Sequence, residues 1–154
     1  MFMRGQMGPC PQWLAELDCA DEVAAIQRKW LDTGKMLSWN MMPGGFRIIG
    51  PPFLGAGDDD RLTLWFYTFP TLELFKEWAL GAPEHVALHT KMIQAIKGAG
   101  TPPAMYSFHA TDDPHADIAA IRAELTEMYK QIEASEWVNM PAGSVQLMML
   151  GDQH

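Results

Sequence analysis

An α+β fold in a single domain is what the sequence predicts, on three observations. Short β-branched or aromatic segments look like strands. Amphipathic stretches with apolar residues three and four apart lie between them. The two kinds follow one another as β-α-β-β-α-β-α-β. The chain has 154 residues, which suits one domain, and at 48% hydrophobic content it has enough apolar side chain for a core.

Residues 1–11 are expected to be a loose N-terminus, since Met1 to Pro9 holds no long apolar run and no cleavage pattern. Gln12 to Leu17 alternates weakly and is the expected first strand. Asp21 opens a helix whose buried face carries Val23, Ile26, Trp30, Gly34 and Leu37, and Pro43-Gly44-Gly45 stops it. Phe46 to Gly50 follows as a strand, closed by Pro51-Pro52. Asp58 to Asp60 forms a solvated turn. Leu62 to Phe69 is then the strongest strand in the chain; it is apolar on both faces and suited to a central position.

Thr71 caps a helix with Leu72, Phe75 and Trp78 on one stripe, which Gly81 interrupts. Pro83 suits the first turn of a further helical segment running to about Lys97. Met105 to Ala110 is another strand. Asp113-Pro114 begins a helix with Ile118, Ile121, Leu125, Met128 and Ile132 on one face, and Val145 to Leu150 closes the chain as a strand. This order predicts a ferredoxin-like β-α-β-β-α-β module over 12–110 with an α-β extension over 111–154, all within one α+β domain, 12–154.

The extension resembles residues 21–50. Val23-Ala24-Ala25-Ile26 matches Ile118-Ala119-Ala120-Ile121, and Trp39 and Met42-Pro43 match Trp137 and Met140-Pro141 at nearly the same separation. One and a half modules leave a sheet edge or an apolar face to be covered, for which a homodimer is the simplest arrangement.

A formal net charge of −8 opposes binding to nucleic acid or anionic membranes, because both need a basic surface. No apolar run approaches the roughly 20 residues of a membrane span. Two cysteines, Cys10 and Cys19, do not make a disulfide framework, and a reducing, cytoplasmic setting is expected. P-loop, G-x-S-x-G and G-x-G-x-x-G patterns are missing, which disfavours nucleotide-dependent and serine-hydrolase chemistry.

The candidate chemistry centres on the segment after the strongest strand. If that segment is one helix, His85 and His89 fall about 40° apart, in the middle of a face shared with Met92 and Ile96. An imidazole on an apolar face must find a partner for its ring nitrogens. It either packs in the core or faces an apolar cavity as an acid–base group, a substrate anchor or an axial ligand. His85-x-x-x-His89 has metal-ligand spacing, and His109 offers a third imidazole. The zincin pattern, however, needs Glu where Val86 stands, so no metal site is assigned. His85 and His89 are the catalytic candidates. Trp65, Tyr67, Trp78, Met92 and His109 are the substrate-binding ones.

The element order, with Phe75-Lys76-Glu77-Trp78 followed by His85 and His89, resembles the dimeric α+β barrel superfamily and its antibiotic-biosynthesis-monooxygenase-like branch. The resemblance spans roughly Trp13 to Ala110, and the extension departs from the single-module pattern. It implies a dimer whose sheets curve over an apolar pocket. It also implies cofactor-free oxygenation or proton transfer on a hydrophobic aromatic or polyketide-like small molecule. Two alternatives stand beside that: a heme-binding or heme-degrading protein, and a non-catalytic small-molecule binding module. No cofactor is expected, with heme as the possible exception.

Overall fold

The computed structural model describes residues 1–9, 20–47, 61–85, 87, 106–134 and 145–149. The strands are β1 (Phe2–Pro9), β2 (Ser38–Arg47), β3 (Arg61–Phe69), β4 (Tyr106–Thr111) and β5 (Val145–Met149). The helices are α1 (Ala20–Asp32), α2 (Leu72–Lys76, continued by a π-helical turn over Glu77–Gly81) and α3 (Ile118–Ala134). The fold is therefore α+β, and no described helix is long and apolar enough to cross a membrane.

The five strands form one mixed sheet in the order β2-β3-β1-β4-β5. β1 runs antiparallel to both of its neighbours, β2 antiparallel to β3, and β5 parallel to β4. The expected loose terminus over 1–11 is thus corrected: Phe2–Pro9 supplies the middle strand of the sheet. Two glycines and a proline give Phe2–Pro9 poor strand propensity. Pairing on both sides of Phe2–Met7 overrides that weak preference, because a ladder on each edge satisfies the backbone there. The first strand expected at Gln12–Leu17 and the turn at Asp58–Asp60 lie outside the described residues.

The first helix also ends sooner than its periodicity suggests. Gly34 has a φ of 71° and its amide donates to the Leu31 carbonyl at 3.0 Å, a left-handed stop that glycine adopts without a Cβ clash. The chain then folds back, the Met36 amide donates to the Trp30 carbonyl, and Met36 is buried. Leu37, expected on the helix face, is 53% exposed and its amide opens the pairing with β3 through the Thr68 carbonyl. Strand β2 consequently starts at Ser38, well before the expected Phe46. Pro43-Gly44-Gly45 does not stop a helix; it falls where the β2–β3 register shifts, between Met42 and Phe46. Thr71 caps α2 as expected, accepting from the Leu74 amide at 3.2 Å. In α3 the cap is Asp117, which accepts from the Ala120 amide. Asp113 instead makes a tight turn with the His115 amide, so that helix begins at Ile118 rather than at Pro114.

Alternation along the strands gives the sheet two different faces. Phe2, Tyr67, Phe69 and Leu147 point to one face and share a single core with Val23, Ile26 and Trp30 of α1, Phe75 and Trp78 of α2 and its π turn, and Leu125, Met128 and Tyr129 of α3. The opposite face carries Gly5, Phe66 and Phe108. The Phe66 and Phe108 rings meet edge-on at 5.7 Å, and the Phe108 ring lies over Gly5. A Cβ built on Gly5 would meet that ring at 2.0 Å, so only glycine leaves room for it. Gly5→Ala is expected to lower stability by about 1–3 kcal/mol in urea unfolding. Combining it with Phe108→Ala should recover part of the loss; equal destabilisation with and without the ring would contradict this packing.

Candidate active site

The helix-covered face of the sheet is apolar at its Phe2 end and polar at its centre. The register lines up Trp39, Tyr67, Arg4, His109 and Leu147 across all five strands, one residue from each. The next row on this face contains Trp65, Gln6 and Ser107. Arg4, Gln6, Tyr67, Ser107 and His109 are all buried. A polar floor in the middle of a sheet is expensive to desolvate, and its groups must be satisfied by one another, by the covering helices or by a ligand.

The covering helices contribute matching groups. Tyr129 of α3 and His109 share a hydrogen bond of 3.0 Å between the phenol oxygen and Nε2, the ring tautomer deciding which one donates. Trp78 is fully buried in the π turn and donates its indole N–H to Gln27 of α1 at 3.1 Å. Its ring lies 4.6 Å from Tyr67 and 4.0 Å from His85 between centroids. His85, 4% exposed, sits in the helical turn that Pro83 begins. The π turn adds a residue to the local helical repeat, and such turns recur at functional sites. On the surface, Lys29–Glu84 ties α1 to this segment, Lys35–Glu77 ties the turn after α1 to it, and Lys76–Glu124 ties α2 to α3. Exposed pairs of this kind contribute little each, so the buried contacts fix the arrangement.

Arg4 lies at the centre of this arrangement. Its guanidinium carbon is 5.4 Å from the Tyr129 ring centroid and 5.8–6.0 Å from those of Trp78, Phe75 and Tyr67. Nη2 donates to Gln6 at 2.8 Å, and Nε has no acceptor. Every Asp and Glu whose burial is described is exposed, so none of these carboxylates balances this cation inside the protein.

Of the residues singled out in the sequence, Tyr67, Trp78, His85 and His109 meet in one buried cluster. Trp65 packs half-buried at its margin, and His89 and Met92 lie outside the described residues. Arg4, Gln6, Gln27, Ser107 and Tyr129 were missed. The alternation Phe2-Arg4-Gln6 was the available signal for two of them, and the Leu125–Tyr129 spacing of four for a third. Among the described residues no three His, Cys, Asp or Glu side chains are close enough to hold a metal ion. Neither a family model, a curated protein nor a solved structure matches the chain.

Burial pushes the Tyr67 phenol up to about 12, against the opposing pull of Arg4, and raises Tyr129 for the same reason. Both phenols are therefore neutral donors in the folded protein at any physiological pH. In the unfolded chain a tyrosine ionises near 10, so the folded state holds these protons longer. For Tyr67 that stability is fully present below about pH 10 and is lost as pH rises through 12, a difference of roughly 3 kcal/mol. Tyr67→Phe is expected to flatten the fall in unfolding free energy between pH 10 and 12, followed together with tyrosinate absorbance. An unchanged slope would place this phenol in contact with water.

Proposed function

We propose that the chain is a ferredoxin-like module of the dimeric α+β barrel kind, extended by α3 and β5. We further propose that it is a small enzyme that takes a hydrophobic aromatic or polyketide-like substrate through proton transfer or cofactor-free oxygenation. The strand order supports the module: β1 lies between antiparallel β3 and β4, with β2 at the edge beyond β3 and β5 added beyond β4. The single observation behind the chemistry is that His85, Trp78, Tyr67 and His109 meet Arg4 and Tyr129 on one buried face. In this reading His85, with His89, supplies the base, while Trp65, Tyr67, Trp78 and Met92 hold the flat body of the substrate. His109 and Tyr129 offer a proton relay beside it.

A flat substrate with an acidic C–H between aromatic rings suits such a site, since deprotonation gives a carbanion delocalised over the rings. An anthrone is the simplest case. Loss of the ring-methylene proton and reaction with one dioxygen give the quinone and one water, with oxygen as the only oxidant. The test is 1,8-dihydroxy-9-anthrone in deuterated buffer, with deuterium entry at the methylene carbon and oxygen uptake measured together. Exchange above the buffer rate is expected, falling at least about 100-fold in His85→Ala and following one ionisation between pH 5 and 8. Exchange equal to buffer, or a flat profile across that range, would sink the acid–base reading. A saturable Soret change with hemin, lost in His85→Ala, would replace it with axial ligation.

The homodimer belongs to the same proposal, through the sheet face that carries Phe66 and Phe108. Light scattering is expected to give twice the 17.2 kDa chain mass, and Phe66→Glu a monomer; a monomeric wild type would remove the dimer.

A further inference from the structure

We infer that Arg4 is an anion anchor: the ligand carries an oxyanion conjugated to its fused aromatic rings, and this group pairs with the Arg4 guanidinium. The inference rests on the aromatic-ligand reading above and names the charge of that ligand. The chain has a formal charge of −8, yet every Asp and Glu whose burial is described is exposed, while Arg4, which stays charged, is buried. An arginine does not escape burial by losing its proton, unlike a lysine or histidine. Its charge must be met by something.

The observed partners do not meet it. Gln6 and the Tyr129 hydroxyl, its hydrogen-bond partners, are both neutral. The four surrounding rings lie near the outer limit of cation–π range, and Nε has no acceptor. A buried cation in that state is a cost to folding, and proteins keep such a cost where a ligand completes the pair. The same rings that fail to neutralise the guanidinium are suited to a flat apolar body. A planar oxyanion, moreover, matches the planar fork of the guanidinium. Both neighbouring phenols are neutral, as tyrosines are at pH 7, and burial raises them further, so they do not quench the charge of Arg4.

Two chemical sources share this group, an aryl carboxylate and an ionised enol or phenol. Calorimetric titration of the full chain with 2-naphthoate, 2,4-dinitro-1-naphtholate and neutral 2-naphthamide separates them. At least one anionic probe is expected to bind ten-fold or more tightly than the amide, and which one does so identifies the source. Arg4→Met should erase the preference while raising Tm, because a cation without a counter-charge is exchanged for an apolar chain of similar length. Equal binding of the amide and both anions overturns the anchor and leaves the aromatic-ligand reading standing. Binding by none of the three overturns both. A lower Tm in Arg4→Met with the preference intact assigns Arg4 a structural role and also overturns the anchor. The wild-type comparison needs no variant, so it decides the matter even if Arg4→Met does not fold.

Discussion

The position of β1 in the middle of the sheet is the constraint on which the other features depend. A strand hydrogen-bonded on both sides cannot slide or tilt without breaking two ladders, so its alternation is fixed. Phe2, Arg4 and Gln6 must enter the core together, and Gly5 must face the other way. A slip of one residue would put Arg4 on the face where Phe108 lies over Gly5, and would bring Met3 and Gly5 beneath Trp78. Two features therefore hold the register: the ring over Gly5, and the Arg4–Gln6 contact on the opposite side. The charge in the core is a consequence of strand pairing, since no local preference would place an arginine there.

That placement orders the electrostatics. A buried cation favours neutral donors and aromatic faces around it. Tyr67, Tyr129 and Trp78 are such groups, while every acid whose burial is described is exposed. Burial raises both phenols more than Arg4 lowers them, so the desolvation of the site outweighs the attraction of its charge. The site is thus desolvated enough to raise both phenols and still holds an arginine. Strong, directional donation to an incoming anion needs both conditions, because water would otherwise screen the charge.

Much of this was legible in the sequence where one element sufficed to reveal it. The aromatic run of β3 identified Tyr67, Thr71 announced the start of α2, and the Trp78-to-His85 segment stood out because an imidazole among apolar positions is uncommon. The residues that stayed hidden depend on pairings across the chain. Arg4 sits in a stretch whose glycines and proline argue against a strand, and only its partners on β3 and β4 make it one. Gln27 looks like an ordinary polar position on a helix until Trp78, far along the chain, donates to it. Tyr129 reads as one more apolar residue of α3 until His109 meets its hydroxyl. The early end of α1 was hidden differently: Gly34 fits the helical spacing, and its positive φ is a property of the turn that follows.

The π turn over Glu77–Gly81 explains how a core this crowded presents an imidazole beside an indole. Had α2 continued as a regular helix, Phe75 and Trp78 would have stayed on one stripe and the chain would have carried His85 about 700° beyond Trp78, nearly back on that stripe and two turns further along. The widened turn ends at Gly81, Ala82 takes an extended backbone, and Pro83 restarts the helix in a new direction. His85 thereby returns to within 4.0 Å of Trp78 instead of lying two turns away. Lys29–Glu84 holds this detour against α1 from outside and Lys35–Glu77 against the turn that follows α1, while Gln27 holds Trp78 from within. The bend thus exchanges regular helical hydrogen bonds for the contact between the His85 imidazole and the buried Trp78 indole.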